Sequence, residues 1–317
     1  MNILITTGIY PPQHGGPAKY AKNLYDTWTN QGHSVTVKKF DLEYKLPTII
    51  RHIYFFLKII PTLIQTDFVV ALDTFSVGMP TSLATKILGV PLIIRVGGDF
   101  LWEQYVERTK EKVLLRDFYT VKKHSLNTKE QFIYLMTKMT LSLATKIVFS
   151  TKWQKEIWAN PYAIDMEKVS IIENYYGPKQ ASVTPKDKIF IGSTRPLVWK
   201  NLDILPNTVV TTPVPYDSMM KTISECYAVI LVSLGDISPN LILEAITYNK
   251  PFILTKENGL TDRIGDIAIL VDPLNPTEIK EKMEWLTNNY DEQKKKIEAF
   301  TFTHTWEEIA NEFKKLA

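Results

Sequence analysis

The sequence is poor in cysteine, in net charge and in long apolar runs. Cys226 is the one cysteine among 317 residues, which excludes an internal disulfide framework and a multi-cysteine metal site. The formal net charge of +3 is too small to indicate nucleic acid as the main partner. No stretch reaches the length of a membrane-spanning helix, because Leu46–Ile64 is interrupted by Arg51 and Lys58.

Several functional signatures are also missing. The five histidines show no metal-ligand spacing, and no Gly-x-Ser-x-Gly elbow is present, so neither a metal centre nor a serine hydrolase is predicted. The amino terminus lacks the basic region and apolar core of a signal peptide. We therefore expect a cytoplasmic protein that needs no metal and no cofactor, with the inner face of a membrane as a further location.

Short apolar runs alternate with longer helical patterns along the whole chain, which predicts an α/β protein with parallel sheets. The predicted strands are Ile3–Thr7, Ser34–Phe40, Asp67–Leu72, Leu92–Val96, Lys146–Phe149, Val169–Ile172, Ile189–Gly192, Thr208–Thr212, Ala228–Ser233, Phe252–Thr255 and Ala268–Val271. The predicted helices are Ala18–Gln31, Pro47–Ile64, Val77–Leu88, Thr128–Ala144, Trp153–Asn160, Tyr216–Cys226, Pro239–Tyr248, Pro276–Thr287 and Trp306–Leu316.

The length of the chain favours two such domains. A stretch rich in Gly, Pro and small polar residues, Tyr176–Lys188, separates the two series of elements and is the predicted linker. Open α/β sheets bind ligands at the carboxyl ends of their strands, so we expect the chemistry in a cleft between the domains.

The clearest motif runs from Val232 to Ala245, where a predicted buried strand is followed by a polar loop and a helix. Ser238 suits the position that caps a helix and Pro239 suits its first turn. The free amides of that turn favour an anion. Asp236 and Glu244 add two acids, which suit a ligand with phosphate in its middle and hydroxyls at both ends. An ordinary capped helix explains the same pattern equally well.

Three more loops follow predicted strands. Arg195 and Lys200 are five residues apart and can converge on one anion, although Arg and Lys are most often plain surface residues. Gly15 and Gly16 precede a helix, where they either allow close approach of a ligand or form a tight turn. Asp99 follows two glycines and either faces the cleft or caps the next helix.

Taken together and in their order along the chain, these segments resemble glycosyltransferase family 4, a family of retaining enzymes with the GT-B fold. The resemblance rests on the glycine loop and Gln31–Val35, on Arg195 with Lys200, and on the stretch Val214–Pro273 with its acidic motif. It implies two Rossmann-like domains that face each other across a cleft, with residues 1–180 on the acceptor side and residues 181–300 binding a nucleotide sugar. Residues 301–317 would form a helix that crosses back to the first domain.

The resemblance also implies roles for single residues. Arg195 and Lys200 would bind the donor diphosphate, and Gly15 and Gly16 would lie against it in the closed cleft. Asp236 would contact the transferred sugar and Asp99 would lie near the reacting carbon. The remaining donor contacts would come from one segment of the chain. Its backbone at Ser238, Pro239, Asn240 and Leu241 would cradle a phosphate, and Glu244 would bind the ribose hydroxyls.

Two departures from the family pattern bear on function. Asp236 stands where the family has a longer glutamate. Between Leu205 and Val209 the family inserts another helix, strand and helix, so the second domain is predicted to be reduced in size. Such a domain would either have an altered base selectivity or need a partner subunit to complete the site.

We therefore expect a retaining glycosyltransferase that moves a sugar from a nucleotide diphosphate sugar to a glycan or lipid-linked acceptor. A nucleotide-sugar 2-epimerase and a non-catalytic subunit that binds sugar nucleotides are the alternatives. Peripheral contact with a membrane is a further expectation, because Lys45–Lys58 combines apolar and basic residues as interfacial helices do. Ordinary packing of this helix on the first sheet is the competing interpretation.

Overall fold

A computed structural model gives the fold. It describes residues 1–13, 15–183, 185, 187–192, 195–207, 209–210 and 216–317. Some sequence predictions lie outside these residues: His14 in the first loop, Thr184 and Lys186 in the predicted linker, Ser193 and Thr194 in the Arg195 motif, and Thr208 and residues 211–215 in and after the predicted strand Thr208–Thr212.

The predicted strands are confirmed, most of them with ends that differ by one or two residues, and Thr208–Thr212 is confirmed at Val209–Val210, the part of it that the structure describes. Each strand is short and largely apolar, which favours the extended state when both faces of a sheet are covered. The strands are β1 (Asn2–Thr7), β2 (Ser34–Lys39), β3 (Phe68–Ala71), β4 (Leu92–Val96), β5 (Lys146–Phe149), β6 (Val169–Ile171), β7 (Phe190–Ile191), β8 (Val209–Val210), β9 (Ala228–Leu231), β10 (Phe252–Thr255) and β11 (Ile269–Val271).

The helices include the nine that were predicted and others that were not. In chain order they are α1 (Gly16–Asn30), α2 (Thr48–Leu63), α3 (Gly78–Leu88), α4 (Phe100–Thr109), α5 (Leu115–Val121), α6 (Thr128–Leu143), α7 (Lys152–Ala159), α8 (Tyr216–Glu225), α9 (Asn240–Thr247), α10 (Thr261–Ile264), α11 (Pro276–Asn288), α12 (Tyr290–Ala299) and α13 (Trp306–Lys315). Those not predicted are α4, α5, α10 and α12.

Local sequence explains where several helices begin. Asn127 accepts the amide of Glu130, whose carboxylate accepts the amide of Asn127 in return, so α6 starts with a reciprocal capping box. Thr305 and Glu308 make the same arrangement at the start of α13.

The chain folds as two compact units. Unit 1 comprises Met1–Leu101, Leu126–Asn174 and Thr305–Ala317, and unit 2 comprises Trp102–Ser125 and Tyr175–His304. The predicted boundaries at 180/181 and 300/301 therefore lie a few residues from the changes between units. The segment Trp102–Ser125 belongs to unit 2, although the sequence placed it in the first domain.

Unit 1 is built on a parallel sheet of six strands in the order β2-β1-β3-β4-β5-β6. β3 and β4 are buried along their whole length. The terminal helix α13 packs on α1, where the indole of Trp28 donates to the carbonyl of Ala310 at 3.1 Å and its ring lies 6.2 Å from that of Phe313. The last helix therefore completes the core of unit 1.

Unit 2 is built on a parallel sheet of five strands in the order β11-β10-β9-β7-β8. β9 and β10 are buried throughout and form the centre of its core. A fully buried aliphatic or aromatic side chain contributes about 1.5–3 kcal/mol relative to an exposed one. These two strands therefore hold rigidly the loops that leave their carboxyl ends.

Candidate functional site

The order of the strands in unit 2 defines where a ligand site is expected. The chain runs from β7 outward to β8 and then returns past β7 to β9. The loops that follow β7 and β9 therefore leave the sheet side by side and in opposite directions. In open α/β sheets this reversal forms a crevice at the carboxyl ends of the strands, and ligands bind there. Arg195 and Lys200 lie after β7, and Asp236 lies after β9.

The loop after β7 is anchored to the core by Asn201. This fully buried residue adopts a left-handed conformation with φ 57°. Its side-chain amide donates to the carbonyl of Val232 at 3.2 Å and to that of Pro273 at 2.6 Å. The amide of Leu234 in turn donates to the carbonyl of Trp199 at 2.9 Å. The two loops are thus held together by hydrogen bonds on both sides of Lys200.

Lys200 and Asp236 form an ion pair at the centre of this crevice. Nζ of Lys200 lies 2.5 Å from Oδ2 of Asp236, and their side chains are 8% and 13% exposed. The same Nζ lies 4.2 Å from the centre of the Trp199 ring. The guanidinium of the exposed Arg195 lies 5.7 Å from the same ring centre. The structure therefore brings together both predicted cations and the first predicted acid around one indole.

The backbone of Asp236 is fixed from the other side by the loop after β10. Its amide donates to the carbonyl of Glu257 at 2.9 Å, and its carbonyl accepts from the amide of Gly259 at 3.2 Å. Asp236 and Asn258 form a parallel bridge. The carboxylate of Asp236 is therefore presented by a rigid backbone.

The helix that follows begins later than the sequence predicted. α9 starts at Asn240, Pro239 holds the capping position, and no side chain caps the helix, so the predicted capping role of Ser238 is wrong. The carbonyl of Pro239 accepts from the amides of Ile242 and Leu243. The first amides of a helix have no partner within it, which leaves those of Asn240 and Leu241 facing the loop.

The hydroxyl of Ser238 is buried and makes no hydrogen bond within the described part of the chain. A buried polar group without a partner is costly, so such a group indicates a ligand or an ordered water. Ser238 therefore lies at the helix start with an unused donor and acceptor. Glu244 lies half-buried on the same helix.

Sequence reasoning missed the part of unit 2 that comes from the segment Trp102–Ser125. The ring of Trp102 lies 5.7 Å from that of Trp199, and the amide of Leu115 donates to the carbonyl of Leu234 at 3.1 Å. Gly235 has no space for a side chain, since a Cβ there would lie 2.5 Å from Cβ of Leu115. This segment therefore packs directly behind the loop that carries Asp236.

Arg116 from the same segment pairs with a buried acid. Its Nε donates to Oε2 of Glu257 at 2.7 Å, and the side chain of Glu257 is 6% exposed. Burial raises the pKa of the Glu257 carboxyl, while the Arg116 guanidinium lowers it. No sequence motif marks this pair, because its members are separated by 141 residues.

The predicted site residues of unit 1 lie at the carboxyl end of its sheet. Gly15 adopts φ 145°, which L-residues rarely do, and α1 begins at Gly16. A Cβ on Gly15 would lie 3.0 Å from the side chain of Ile9. The backbone conformation therefore favours glycine at position 15. The role of the glycine loop in donor binding stays a prediction.

Asp99 is held in the interior of unit 1. It is 1% exposed, immediately precedes α4, and accepts a 2.8 Å hydrogen bond from the indole of Trp158. These contacts support a structural role, and its place near the reacting carbon stays a prediction.

Arg95 is a buried cation that the sequence did not single out as a site residue. It lies near the end of β4 and is 5% exposed. Its guanidinium lies 3.8 Å from the centre of the Tyr20 ring and donates to Oδ1 of Asn174 at 2.7 Å. Gly97 leaves room for this guanidinium, since a Cβ at position 97 would lie 2.9 Å from Nη1 of Arg95.

Within the residues that the structure describes, no three His, Cys, Asp or Glu side chains are arranged to hold a metal ion. Asp236 and Glu257 are each paired with a cation.

Comparisons with known proteins place the fold. No family model and no curated protein matches the sequence. The sucrose-phosphate synthase of Thermosynechococcus elongatus matches with a TM-score of 0.76 at 10% identity, over 99% of this chain and 98% of that one. WaaG, a glycosyltransferase involved in lipopolysaccharide biosynthesis, matches with 0.69 at 12% identity, over 98% of each chain. HepE of Anabaena in complex with UDP matches with 0.66 at 12% identity, over 99% of each chain.

The chain therefore has the GT-B fold, which is built on two Rossmann-like sheets. This confirms the predicted fold class. At these identities the likeness concerns the fold alone.

Proposed function

We propose that the protein is a retaining glycosyltransferase that uses a nucleotide diphosphate sugar as its donor. One observation carries the proposal: two cations and an acid meet where the strand order of unit 2 reverses, and the loop that carries the acid leads into the start of α9. An anion with a polar group on each side fits this arrangement better than bare phosphate does. HepE, which shares the fold, binds UDP and UDP-glucose.

In this proposal Lys200 binds both Asp236 and the donor diphosphate. An ammonium has three N–H donors, and one of them is directed at Asp236. The remaining two N–H groups bind the donor diphosphate together with the guanidinium of Arg195. The leaving nucleoside diphosphate gains negative charge as the glycosidic bond breaks, so cations fixed there lower the barrier to transfer.

The remaining contacts follow the chain from Asp236 to Glu244. Asp236 binds hydroxyls of the transferred sugar, and the ion pair with Lys200 fixes the orientation of its carboxylate. The amides of Asn240 and Leu241, after Pro239, bind a phosphate with the hydroxyl of Ser238. Glu244 binds the ribose hydroxyls. Gly15 and Gly16 approach the diphosphate, and no metal or cofactor takes part.

The acceptor is proposed to be a glycan or a lipid-linked precursor bound by unit 1. The supporting comparison is WaaG, whose reaction belongs to lipopolysaccharide biosynthesis. A partner subunit that completes the reduced second domain remains part of this proposal, since β8 is an edge strand of two residues.

The test is a thermal-stability screen against UDP-, GDP-, ADP- and dTDP-sugars. A donor present at about 100 times its dissociation constant adds roughly 2.7 kcal/mol of stability, which is readily measured as a rise in Tm. The matching nucleoside monophosphates serve as controls, because they lack the second phosphate. If no nucleotide sugar raises Tm, the proposed function is wrong.

A second assay separates transfer from the two alternatives. The stabilising donor is incubated with and without an acceptor panel, and the products are followed by NMR. Transfer with retention gives a product of the donor's anomeric configuration. Epimerisation of the donor without an acceptor would identify a 2-epimerase, and binding without any turnover would identify a non-catalytic subunit.

A further inference from the structure

Helix α2 has an apolar outer face that is not covered by the described residues of unit 1. Ile49, Ile53 and Leu57 are 65%, 56% and 58% exposed, and the neighbouring Ile50 and Tyr54 are also exposed. Spacings of three and four residues place all five side chains on one side of the helix. We call these five residues the α2 face.

The outer face is distinct from the face that holds the helix in place. His52, Phe55, Ile59 and Leu63 are buried, α2 packs against α3, and the ring of Phe55 lies 5.3 Å from that of Phe40. Packing of α2 within unit 1 therefore accounts for only one of its two apolar faces. Single exposed apolar residues are normal, but a contiguous stripe along a helix marks an interaction site.

The charges around the α2 face are mostly positive. The helix itself, Thr48–Leu63, contains Arg51 and Lys58 and no carboxylate. From Lys38 to Ile64 the chain has five Lys or Arg and two acids. Two of the cations balance the two acids, since Nζ of Lys58 lies 2.9 Å from Glu43 and 3.0 Å from Asp41, and Nζ of Lys39 lies 3.5 Å from Asp41.

The unneutralised charge beside the face is therefore positive. Lys45 is exposed just before the helix begins. Arg51 is partly exposed, and it donates to the carbonyls of Glu43 and Leu46 and so keeps its full charge. An apolar stripe bordered by cations is complementary to a surface that has negative charges on the outside and an apolar layer below them.

We propose that the α2 face docks on the surface of an anionic lipid bilayer, with the helix lying in the plane of the membrane. A helix of 16 residues is about 24 Å long, which suits an in-plane position. In the part of the chain that the structure describes, no helix is long and apolar enough to cross a bilayer. Docking through side chains of α2 needs no such helix.

The position of α2 in the fold relates this surface to the first loop. The hydroxyl of Tyr44, just before the helix, donates to the carbonyl of Gly8, which opens the loop between β1 and α1. The amino-terminal end of the α2 face therefore lies at the carboxyl end of the first sheet, the end that also carries Gly15 and Gly16. Delivery of a lipid-linked acceptor to this end rests on the proposed function, whereas docking itself does not.

The test is co-sedimentation of the full-length chain with vesicles of phosphatidylcholine alone and with vesicles that contain 30% phosphatidylglycerol, roughly the anionic content at which juxtamembrane cations bind well. We expect binding to the anionic vesicles that weakens with salt, because the cations contribute through screened electrostatics. The variant I49S/I53S/L57S is expected to bind at least about tenfold more weakly, since burial of the apolar stripe is removed.

A matched control removes exposed apolar side chains elsewhere. Val121 and Leu135 are 62% and 56% exposed on other helices, and V121S/L135S is expected to bind as the wild type does. The variant K45Q tests the charge and is expected to lose several-fold in affinity on anionic vesicles only. Unchanged donor-induced thermal stabilisation of each variant shows that the fold is intact, and it reports on the proposed function separately.

Three results would overturn the proposal. The wild type would sediment with neither vesicle, or the triple serine variant would bind as tightly as the wild type. Alternatively, light scattering would show a dimer that the triple serine variant dissociates, without any binding to vesicles, and the face would then be a contact between copies of the chain.

Discussion

Lys200 and Asp236 come from loops that follow different strands, yet Nζ of the lysine lies 2.5 Å from Oδ2 of the aspartate in a largely buried crevice. Removing either partner leaves the other charge buried without compensation, which costs about 3–5 kcal/mol in typical cases. Removing both costs less than the sum of the two single changes.

A double-mutant cycle measures this coupling. We expect Lys200→Met and Asp236→Asn each to lower the free energy of unfolding in urea, and the double variant to recover roughly 1–3 kcal/mol of the summed loss. Additive losses within about 0.5 kcal/mol would show that the pair is not coupled in solution.

Ser238→Ala separates a role in binding from a role in folding. Because its hydroxyl is buried without a partner, the substitution is expected to leave the free energy of unfolding unchanged or slightly higher. Loss of one hydrogen bond to a phosphate is expected to weaken donor binding about tenfold, measured by calorimetry.

The control for Ser238 is Ser224→Ala, since that hydroxyl already donates to the carbonyl of Lys221 on an exposed part of α8. Donor affinity is expected to stay the same in this variant. Equal affinities of the two variants would remove Ser238 from the proposed site.

Gly235→Ala tests the packing of the segment Trp102–Ser125 behind the site. Its Cβ would lie 2.5 Å from Cβ of Leu115 and 3.2 Å from the Trp102 ring, so the two segments must separate. We expect a loss of about 1–3 kcal/mol in the free energy of unfolding, together with lower transferase activity. Gly265→Ala is the matched control, because a Cβ there makes an ordinary contact of 3.5 Å with Thr261. Similar stabilities of the two variants would argue against this packing.

His52 makes the stability of unit 1 depend on pH. Burial lowers the pKa of its imidazole to about 4 from the usual 6.5, with a smaller effect of Arg51. The unfolded chain therefore binds a proton between pH 6.5 and 4 that the folded chain does not, so stability falls as the pH falls through this window. We expect a loss of roughly 1–2 kcal/mol between pH 7 and pH 5.

The measurement for His52 is urea unfolding at both pH values. His52→Gln is expected to flatten the dependence, because glutamine does not titrate. His124→Gln, which changes an exposed histidine, is the control and is expected to keep the wild-type slope. An unchanged slope in His52→Gln would mean that another group causes it.

The strands could be predicted from the sequence because each is a short apolar run between polar loops, as in Phe252–Thr255. The order of the strands could not, since it is decided by crossovers that leave no local pattern. The crevice between β7 and β9 depends on that order, so the sequence named Lys200 and Asp236 but not their ion pair.

The largest difference from expectation is the segment Trp102–Ser125. The predicted first domain, residues 1–180, includes this segment, whereas the helix Phe100–Thr109 belongs for its greater part to unit 2. The contact that decides this joins Leu115 to Leu234, far apart in sequence. Neither periodicity nor turn residues carry information about such a pairing. The pairing of Arg116 with Glu257 was missed for the same reason.

Calorimetric titration of the stabilising nucleotide sugar into Arg195→Ala/Lys200→Ala tests the account most directly. Each cation makes charge-assisted hydrogen bonds to the diphosphate, so we predict that donor binding weakens at least about 100-fold. Lys295→Ala/Lys296→Ala, which removes two exposed cations from α12, is predicted to bind as the wild type does. Wild-type affinity in the first variant would contradict the account, because the diphosphate would then bind elsewhere.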